Sequence, residues 1–358
     1  MKHLPGNNER IKHRYFQYLK DADGKDEATI DSVAKSLARF EAFTNRRDFR
    51  KFHIEQARSF KAHLAEQLSQ RSGKPLSKAT NYSTLMAMKR FIRWLADQPG
   101  FRSRIRYADA EYFNPSDKDA RIATARREAR APTLEQVKQV VAQMPTRNDI
   151  ELRDRALVAF VALTGTRDGA VASMKLKHVD LAARCVHQDA RDVRTKFSKT
   201  FDTFFFSFWN EGEVIVEKWV THLRCSLLFG NDDPLFPATK VEPSENRCFT
   251  AIGLKPEHWS GSGPIREIFR RAFESAGLPY FNPHSFRHML ARIGESTCRS
   301  PEEFKAWSQN LGHEKVMTTF NSYGPVSTWR QSEILRALVA PDSRGTAFDE
   351  PEGRDGRR

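Results

Sequence analysis

Toward the C-terminal end of this 358-residue chain the sequence reads Pro283-His284-Ser285-Phe286-Arg287-His288, then Leu311-Gly312-His313, then Asn321-Ser322-Tyr323-Gly324. Well upstream lies Thr164-Gly165-Thr166-Arg167-Asp168. Singly, each is a common string. Together the residue types suit phosphoryl transfer. Arg167 and Arg287 carry planar guanidinium forks, each able to pair two nonbridging phosphate oxygens and to stabilise a pentacoordinate transition state. His284 and His313 can donate to the same phosphate or move a proton, since an imidazole titrates near ~6.5. Tyr323 offers a phenol oxygen as nucleophile, but at an ordinary pKa of ~10 it needs a basic neighbour or a cationic pocket. A lysine would complete the set by protonating the leaving oxygen.

These residues are far apart in the chain, so folded elements must bring them together. Residues 151–164 form an apolar-rich segment that predicts a helix stopped by Gly165. Residues 184–208 contain short β-type runs, ending in Phe204-Phe205-Phe206-Ser207-Phe208, which reads as a core strand. Residues 261–277 predict a basic amphipathic helix, with further helices over 302–311 and 327–340. In the N-terminal third, Ile30, Val33, Leu37 and Phe40 recur at helical spacing with Asp31 as cap. Ile54, Ala57, Phe60, Leu64 and Leu68 make a second stripe, and Leu85, Met88, Phe91, Ile92 and Leu95 a third. On the third, Lys89, Arg90 and Arg93 interleave with apolar positions, so one side packs and the basic flank is expected to meet DNA, as a helix in a major groove would. The pattern fades over 101–130, where Arg126, Arg127 and Arg130 stand in a basic connector, partly helical near 119–129. Its alternatives are a solvated linker or a strap over a DNA backbone. Pro132-Thr133-Leu134-Glu135 then predicts the start of a second domain.

The charge is uneven. The chain has 59 Lys+Arg against 45 Asp+Glu, a net of +14. Residues 1–130 hold 28 and 16, a net of +12, which leaves +2 for the rest. A polyanion-binding module beside a nearly neutral domain has this asymmetry; on charge alone a merely solvated basic domain fits as well. No run approaches the ~18–20 apolar residues of a membrane span, and the polar start carries no secretory h-region. Four well-separated cysteines without a C-x-x-C pair argue against a disulfide framework or zinc ribbon and for a reducing compartment.

The second domain resembles the tyrosine recombinase (phage integrase) family. That family's signature runs in order: an arginine in T-G-x-R, a lysine in a β-hairpin, H-x-x-R, L-G-H and a C-terminal tyrosine. Here Arg167 sits in Thr-Gly-Thr-Arg, and Val171 to Asp180 continues as the family does. Lys196 lies in Arg194-Thr195-Lys196-Phe197-Ser198-Lys199, between the two β-type runs. His284 and Arg287 fill H-x-x-R, His313 fills L-G-H, and Tyr323 is the implied nucleophile. The resemblance covers about 131–340, and more loosely the N-terminal bundle. It implies a mainly α protein with a small β-sheet. A helical core-binding DNA-binding domain (1–107) and a basic linker (108–131) would precede a mixed α/β catalytic domain (132–340) and a disordered tail (341–358). It implies a C-shaped clamp on double-stranded DNA, a 3′-phosphotyrosyl intermediate, a homo-tetramer on DNA and an accessory or directionality factor. No metal, ATP or other cofactor is expected. A cytoplasmic, nucleoid-associated bacterial recombinase acting on a mobile element is the role it suggests.

Three positions depart from the family pattern. Ala170 replaces an acidic residue three positions after Arg167, leaving Asp168 as the alternative orienter. Tyr323 follows His313 by ten residues rather than nine. Lys199 competes with Lys196, which is preferred for its place before the expected turn. Other residues have plainer readings. Tyr280 belongs to the loop before His284, His288 supports or packs beside the site, and His178 is solvated. Trp329, Ile334, Leu335, Leu338 and Val339 give the last helix an apolar side, which either packs on its own domain or docks on a neighbouring protomer. A type IB topoisomerase-like relaxer would share the chemistry without synapsis, and a catalytically inactive DNA-binding regulator would share only the binding.

Overall fold

The structure is a computed structural model that describes residues 6–70, 73–125, 130–243, 249–313 and 328–337. The chain divides into two compact units, Met1–Arg126 and Arg127–Arg358.

The first unit is helical. It contains α1 (Gly6–Asp21), α2 (Glu27–Phe43), α3 (Ile54–Glu66), α4 (Lys78–Ala96) and α5 (Asp117–Thr124), with a 3-10 segment at Tyr107–Phe113. The three expected stripes are the buried faces of α2, α3 and α4, and α4 contributes Leu85, Met88, Phe91, Ile92 and Leu95 to one core with Phe40 and Phe60. The cap of α2 is Asp26, which accepts from the Thr29 N–H, and not Asp31. Leu68 is off its helix as well: the chain turns extended at Gln67, and Leu68 bridges Pro75. Helix α1 has no counterpart in the sequence reading. Its stripe of Ile11, Tyr15 and Leu19, all buried, was masked by the polar residues around it. Much of the stretch that reads as a connector is packed, because Phe101, Ile105, Ala110 and Phe113 are buried in the same core.

The second unit is mixed. Its helices are α6 (Leu134–Gln143), α7 (Asp149–Thr164), α8 (Asp168–Val171), α9 (Asn210–Cys225), α10 (Gly263–Ser275), α11 (Pro283–Thr297), α12 (Pro301–Asn310) and α13 (Thr328–Ala337). Strands β1 (Val179–Asp180), β2 (Cys185–Gln188) and β3 (Phe201–Phe204) form an antiparallel sheet, and β4 (Ala238–Pro243) pairs with β5 (Phe249–Lys255) as a separate ribbon. Helix α7 is buried on every side from Ala156 to Thr164, as an apolar helix at the centre of a domain must be. The phenylalanine run is not one core strand: β3 ends at Phe204, whose ring is exposed, and Phe205 and Phe206 enter the core from the coil beyond. His178 is buried rather than solvated, its Nδ1 accepting from the Lys175 N–H. No described helix is long and apolar enough to cross a membrane.

Candidate active site

The T-G-T-R turn is built by the end of α7. Gly165 caps the helix in the left-handed region, with φ 63°. A Cβ there would lie 2.8 Å from both Leu290 of α11 and Leu311, so conformation and space both require glycine. The Thr164 hydroxyl donates to the Phe160 carbonyl and accepts from the Thr166 N–H and hydroxyl, which fixes the turn. Arg167 then precedes the single turn of α8. Its half-buried side chain has no hydrogen bond or ion pair among the described residues.

Arg287 reaches the same place from α11. That helix starts at an Asn282 cap, with Pro283 in the first position, where a missing N–H costs nothing. The guanidinium is buried and bridges two loops: Nη1 donates to the Gly165 carbonyl at 2.6 Å and Nη2 to the Leu311 carbonyl. Nη2 also lies 3.0 Å from His313 Nε2. A guanidinium cannot accept, so His313 accepts through Nε2 and carries its proton on Nδ1. Gly312, in the left-handed region at φ 68°, sets His313 at this spot; a Cβ on it would lie 2.6 Å from the ring of Phe201 on β3.

The charges of these groups act on one another. Burial, then the Arg167 charge, brings the Arg287 pKa down to about 9, which still leaves it protonated at neutral pH. Burial also lowers Arg167. His313 falls to about 3 through burial and the charges of Arg287 and Arg167. His284, an exposed residue, falls to about 4 through partial desolvation, then His288, Arg287 and Arg167. The His284 and His288 rings meet edge-on at 5.2 Å. At neutral pH the positive charge therefore belongs to the two arginines, and the imidazoles are neutral hydrogen-bonding groups. The site is a pocket of unneutralised cation, suited to a phosphodiester.

Asp168 does not orient Arg167. It accepts from its own loop at the Gly169 N–H and from Arg266 of α10 at 2.8 Å, so it ties the turn to α10 instead. Ala170 is buried in the apolar core. Arg266 and Phe201 were not found from sequence; an arginine on a basic amphipathic helix and a phenylalanine in an aromatic run carry no local signal of such roles. Lys196 and Lys199 both lie in the loop joining β2 to β3. Lys196 is exposed, its ammonium 4.9 Å from the ring centre of Phe197. Lys199 is half-buried and lines a groove with Phe201, Asp202, Gly312 and His313. Tyr323 lies outside the described residues. Tyr280 is in the loop before α11, with Arg270 stacked 5.2 Å from its ring.

Of the residues expected to contact DNA, Arg126 and Arg127 lie outside the described part, and Arg130 is exposed. Lys89 and Arg93 both engage Glu111, whose carboxyl is held down at about 2 by Lys89, Arg93 and Asn114. Arg90 is exposed and makes no ion pair among the described residues.

An all-helical unit followed by a mixed unit whose two arginines and two histidines converge defines a class of DNA-breaking and rejoining catalytic domains. The chain belongs to the phage integrase family, which it matches over residues 132–328. It is 23% identical over 314 residues to the tyrosine recombinase XerC of Lactobacillus delbrueckii subsp. bulgaricus, covering 86% of this chain and 92% of the relative. It is 21% identical over 235 residues to the ICEBs1 integrase of Bacillus subtilis, covering 63% and 58%. Among solved structures it shares the fold of the XerH site-specific recombinase bound to difH substrate (TM-score 0.56, 15% identity, 91% of this chain and 84% of that one). It shares it also with the Tn1549 transposon integrase in complex with a circular intermediate DNA (TM-score 0.55, 14% identity, 92% and 99%).

Proposed function

We propose that this protein is a site-specific DNA recombinase that cleaves and rejoins duplex DNA to integrate or excise a mobile element. The observation that carries the reading is the convergence of Arg167 and Arg287, neither with a carboxylate among the described residues, on two neutral imidazoles. Tyr323 attacks the scissile phosphorus and the bond to the 5′-oxygen breaks, leaving a 3′-phosphotyrosyl link. The phenol gives its proton to a neutral imidazole, and Lys196 protonates the departing 5′-oxygen. The two arginines hold the nonbridging oxygens, aided by hydrogen bonds from His284 and His313. Because the phosphotyrosyl bond conserves the energy of the phosphodiester, rejoining needs neither ATP nor a metal. Attack by the 5′-hydroxyl of a partner duplex exchanges strands within a tetramer.

The family membership supports this reading, as does the likeness to the ICEBs1 integrase. The N-terminal unit would grip DNA through Lys89, Arg90 and Arg93, with Arg126, Arg127 and Arg130 along the connector. The exposed Leu335 on α13 favours docking on a neighbouring protomer over packing on its own unit. A DNA substrate nicked near the cleavage site should trap a covalent complex in the presence of EDTA. The complex should disappear in Tyr323→Phe and fall sharply in Lys196→Ala, while Lys199→Ala retains it. Binding at a specific site with no adduct would instead identify an inactive regulator. Relaxation of any supercoiled plasmid without site preference would identify a topoisomerase-like relaxer.

A further inference from the structure

The sheet that carries the two lysines holds a second constellation, which phosphoryl transfer does not use. On the β2–β3 hairpin the register sets His187 opposite Asp202 and Cys185 opposite Phe204. Residues two apart on a strand share a face, so Cys185 and His187 point the same way. His187 Nδ1 lies 2.8 Å from Asp202 Oδ1. Ligand atoms of Cys185, His187 and Asp202 all fall within 4.8 Å of one another, the thiol buried and the other two side chains exposed.

We propose that Cys185, His187 and Asp202 form a binding site for a thiophilic divalent transition-metal ion of the zinc type. The donor set selects the ion. Calcium and magnesium take oxygen ligands, whereas a thiolate with an imidazole and one carboxylate suits zinc, which also accepts a water in the fourth position. Around zinc, with bonds of about 2.0–2.3 Å, tetrahedral donors sit roughly 3.3–3.8 Å apart. The observed span therefore has to close by about 1 Å at its widest, while the His187–Asp202 pair opens slightly. Both movements fall on exposed side chains with rotamer freedom, and the thiol stays where its strand holds it.

The proton balance follows from the ligands. A thiol of ordinary pKa, about 8.5, is protonated at neutral pH. Metal binding breaks the S–H bond, forms an S–metal bond and releases one proton to solvent, so affinity rises with pH. The carboxylate that disfavours the bare thiolate favours the metal thiolate, because thiolate and Asp202 together offset the ion's two charges.

The site is separate from the phosphoryl-transfer residues but mechanically close to them. Asp202 lines the groove of about 580 Å³ that contains Lys199, Gly312 and His313. A bound ion would pin Asp202 in that wall and cross-link the two strands that carry the loop with Lys196 and Lys199.

Titration of the metal-free full-length protein with Co²⁺, a spectroscopic substitute for zinc, tests the proposal. One ion should bind per chain with a thiolate-to-metal charge-transfer band, and Zn²⁺ should displace it. The band should be absent in Cys185→Ser, and affinity should fall at least ~10-fold in His187→Ala and Asp202→Asn, the typical loss on removing part of a metal's ligand sphere. Asp202→Asn keeps shape at an exposed position, so it decides the matter if Cys185→Ser does not fold. Cys225→Ser and Tyr323→Phe should bind as the unaltered chain does. Absence of a band, its persistence in Cys185→Ser, or its loss in Cys225→Ser would each overturn the assignment.

Discussion

Moving a guanidinium out of water loses hydration that a folded protein ordinarily offsets with a carboxylate. Arg167 has no such partner among the described residues, and it faces Arg287 and two histidines. Replacing it with an apolar side chain of similar length should relieve that repulsion. Arg167→Met is therefore expected to melt at or above the temperature of the unaltered protein while forming covalent complex about 100-fold more slowly, the usual scale for losing one transition-state donor. A melting point lowered by many degrees would show that Arg167 supports the fold instead. The histidines add a pH dependence. Their folded-state pKa values, about 4 for His284 and about 3 for His313, lie below the ~6.5 of an unfolded chain. The unfolded state thus binds protons the folded state refuses, and the stabilisation present above about pH 6.5 is lost as pH falls toward 4. Thermal unfolding followed between pH 7.5 and 4.5 should show this decline, and His313→Gln should make it shallower. At this scale the short motifs were legible for what they bring together: the sequence singled out Arg287 and His313, and the fold sets them 3.0 Å apart. What it hid were partners distant in the chain: Asp168 lies beside Arg167 yet is held by Arg266, ninety-eight residues away.

The elements explain why the motifs contain glycine. Gly165 and Gly312 both have left-handed backbone and both stand where another element packs against the missing Cβ. The carbonyl of Gly165 and that of Leu311 also receive the Arg287 guanidinium, so each loop supplies a wall and an anchor together. An alanine at 165 would add about 1–2 kcal/mol of left-handed strain, and displacing Leu290 and Leu311 would add roughly 1–3 kcal/mol. Gly165→Ala should then lower stability by several kcal/mol in chemical denaturation, and the catalytic defect should persist at temperatures where the variant is still folded. Full activity in the folded fraction would argue that the carbonyl does not position Arg287. Element prediction succeeded where apolar stripes were long, as in α4 and α7. It missed α1, whose stripe is only three residues, and the β4–β5 ribbon, whose Val241, Phe249 and Ile252 are exposed and so leave no alternating inside–outside pattern.

Across the whole molecule the charge is partitioned between the two units. Residues 1–126 contain 26 Lys+Arg and 15 Asp+Glu, a net of +11, which leaves +3 for residues 127–358. Counting charge along the sequence overstates what is available, however, because Lys89 and Arg93 are both spent on Glu111. Those contacts are exposed, and exposed ion pairs are worth little, so a phosphate can compete for the same cations. Removing the carboxylate's charge should free both for phosphate, with Lys89 keeping its bond to the neutral Asn114 side chain. Glu111→Gln is expected to bind duplex DNA more tightly at fixed salt, with the slope of log K against log [salt] steeper by about 1–2, since each further phosphate neutralised contributes roughly 0.9. Arg90→Ala should change both quantities in the opposite direction, by about one phosphate contact. If Glu111→Gln leaves affinity and slope unchanged, the face of α4 that carries Lys89, Arg90 and Arg93 does not meet DNA, and the grip must lie elsewhere on the basic unit.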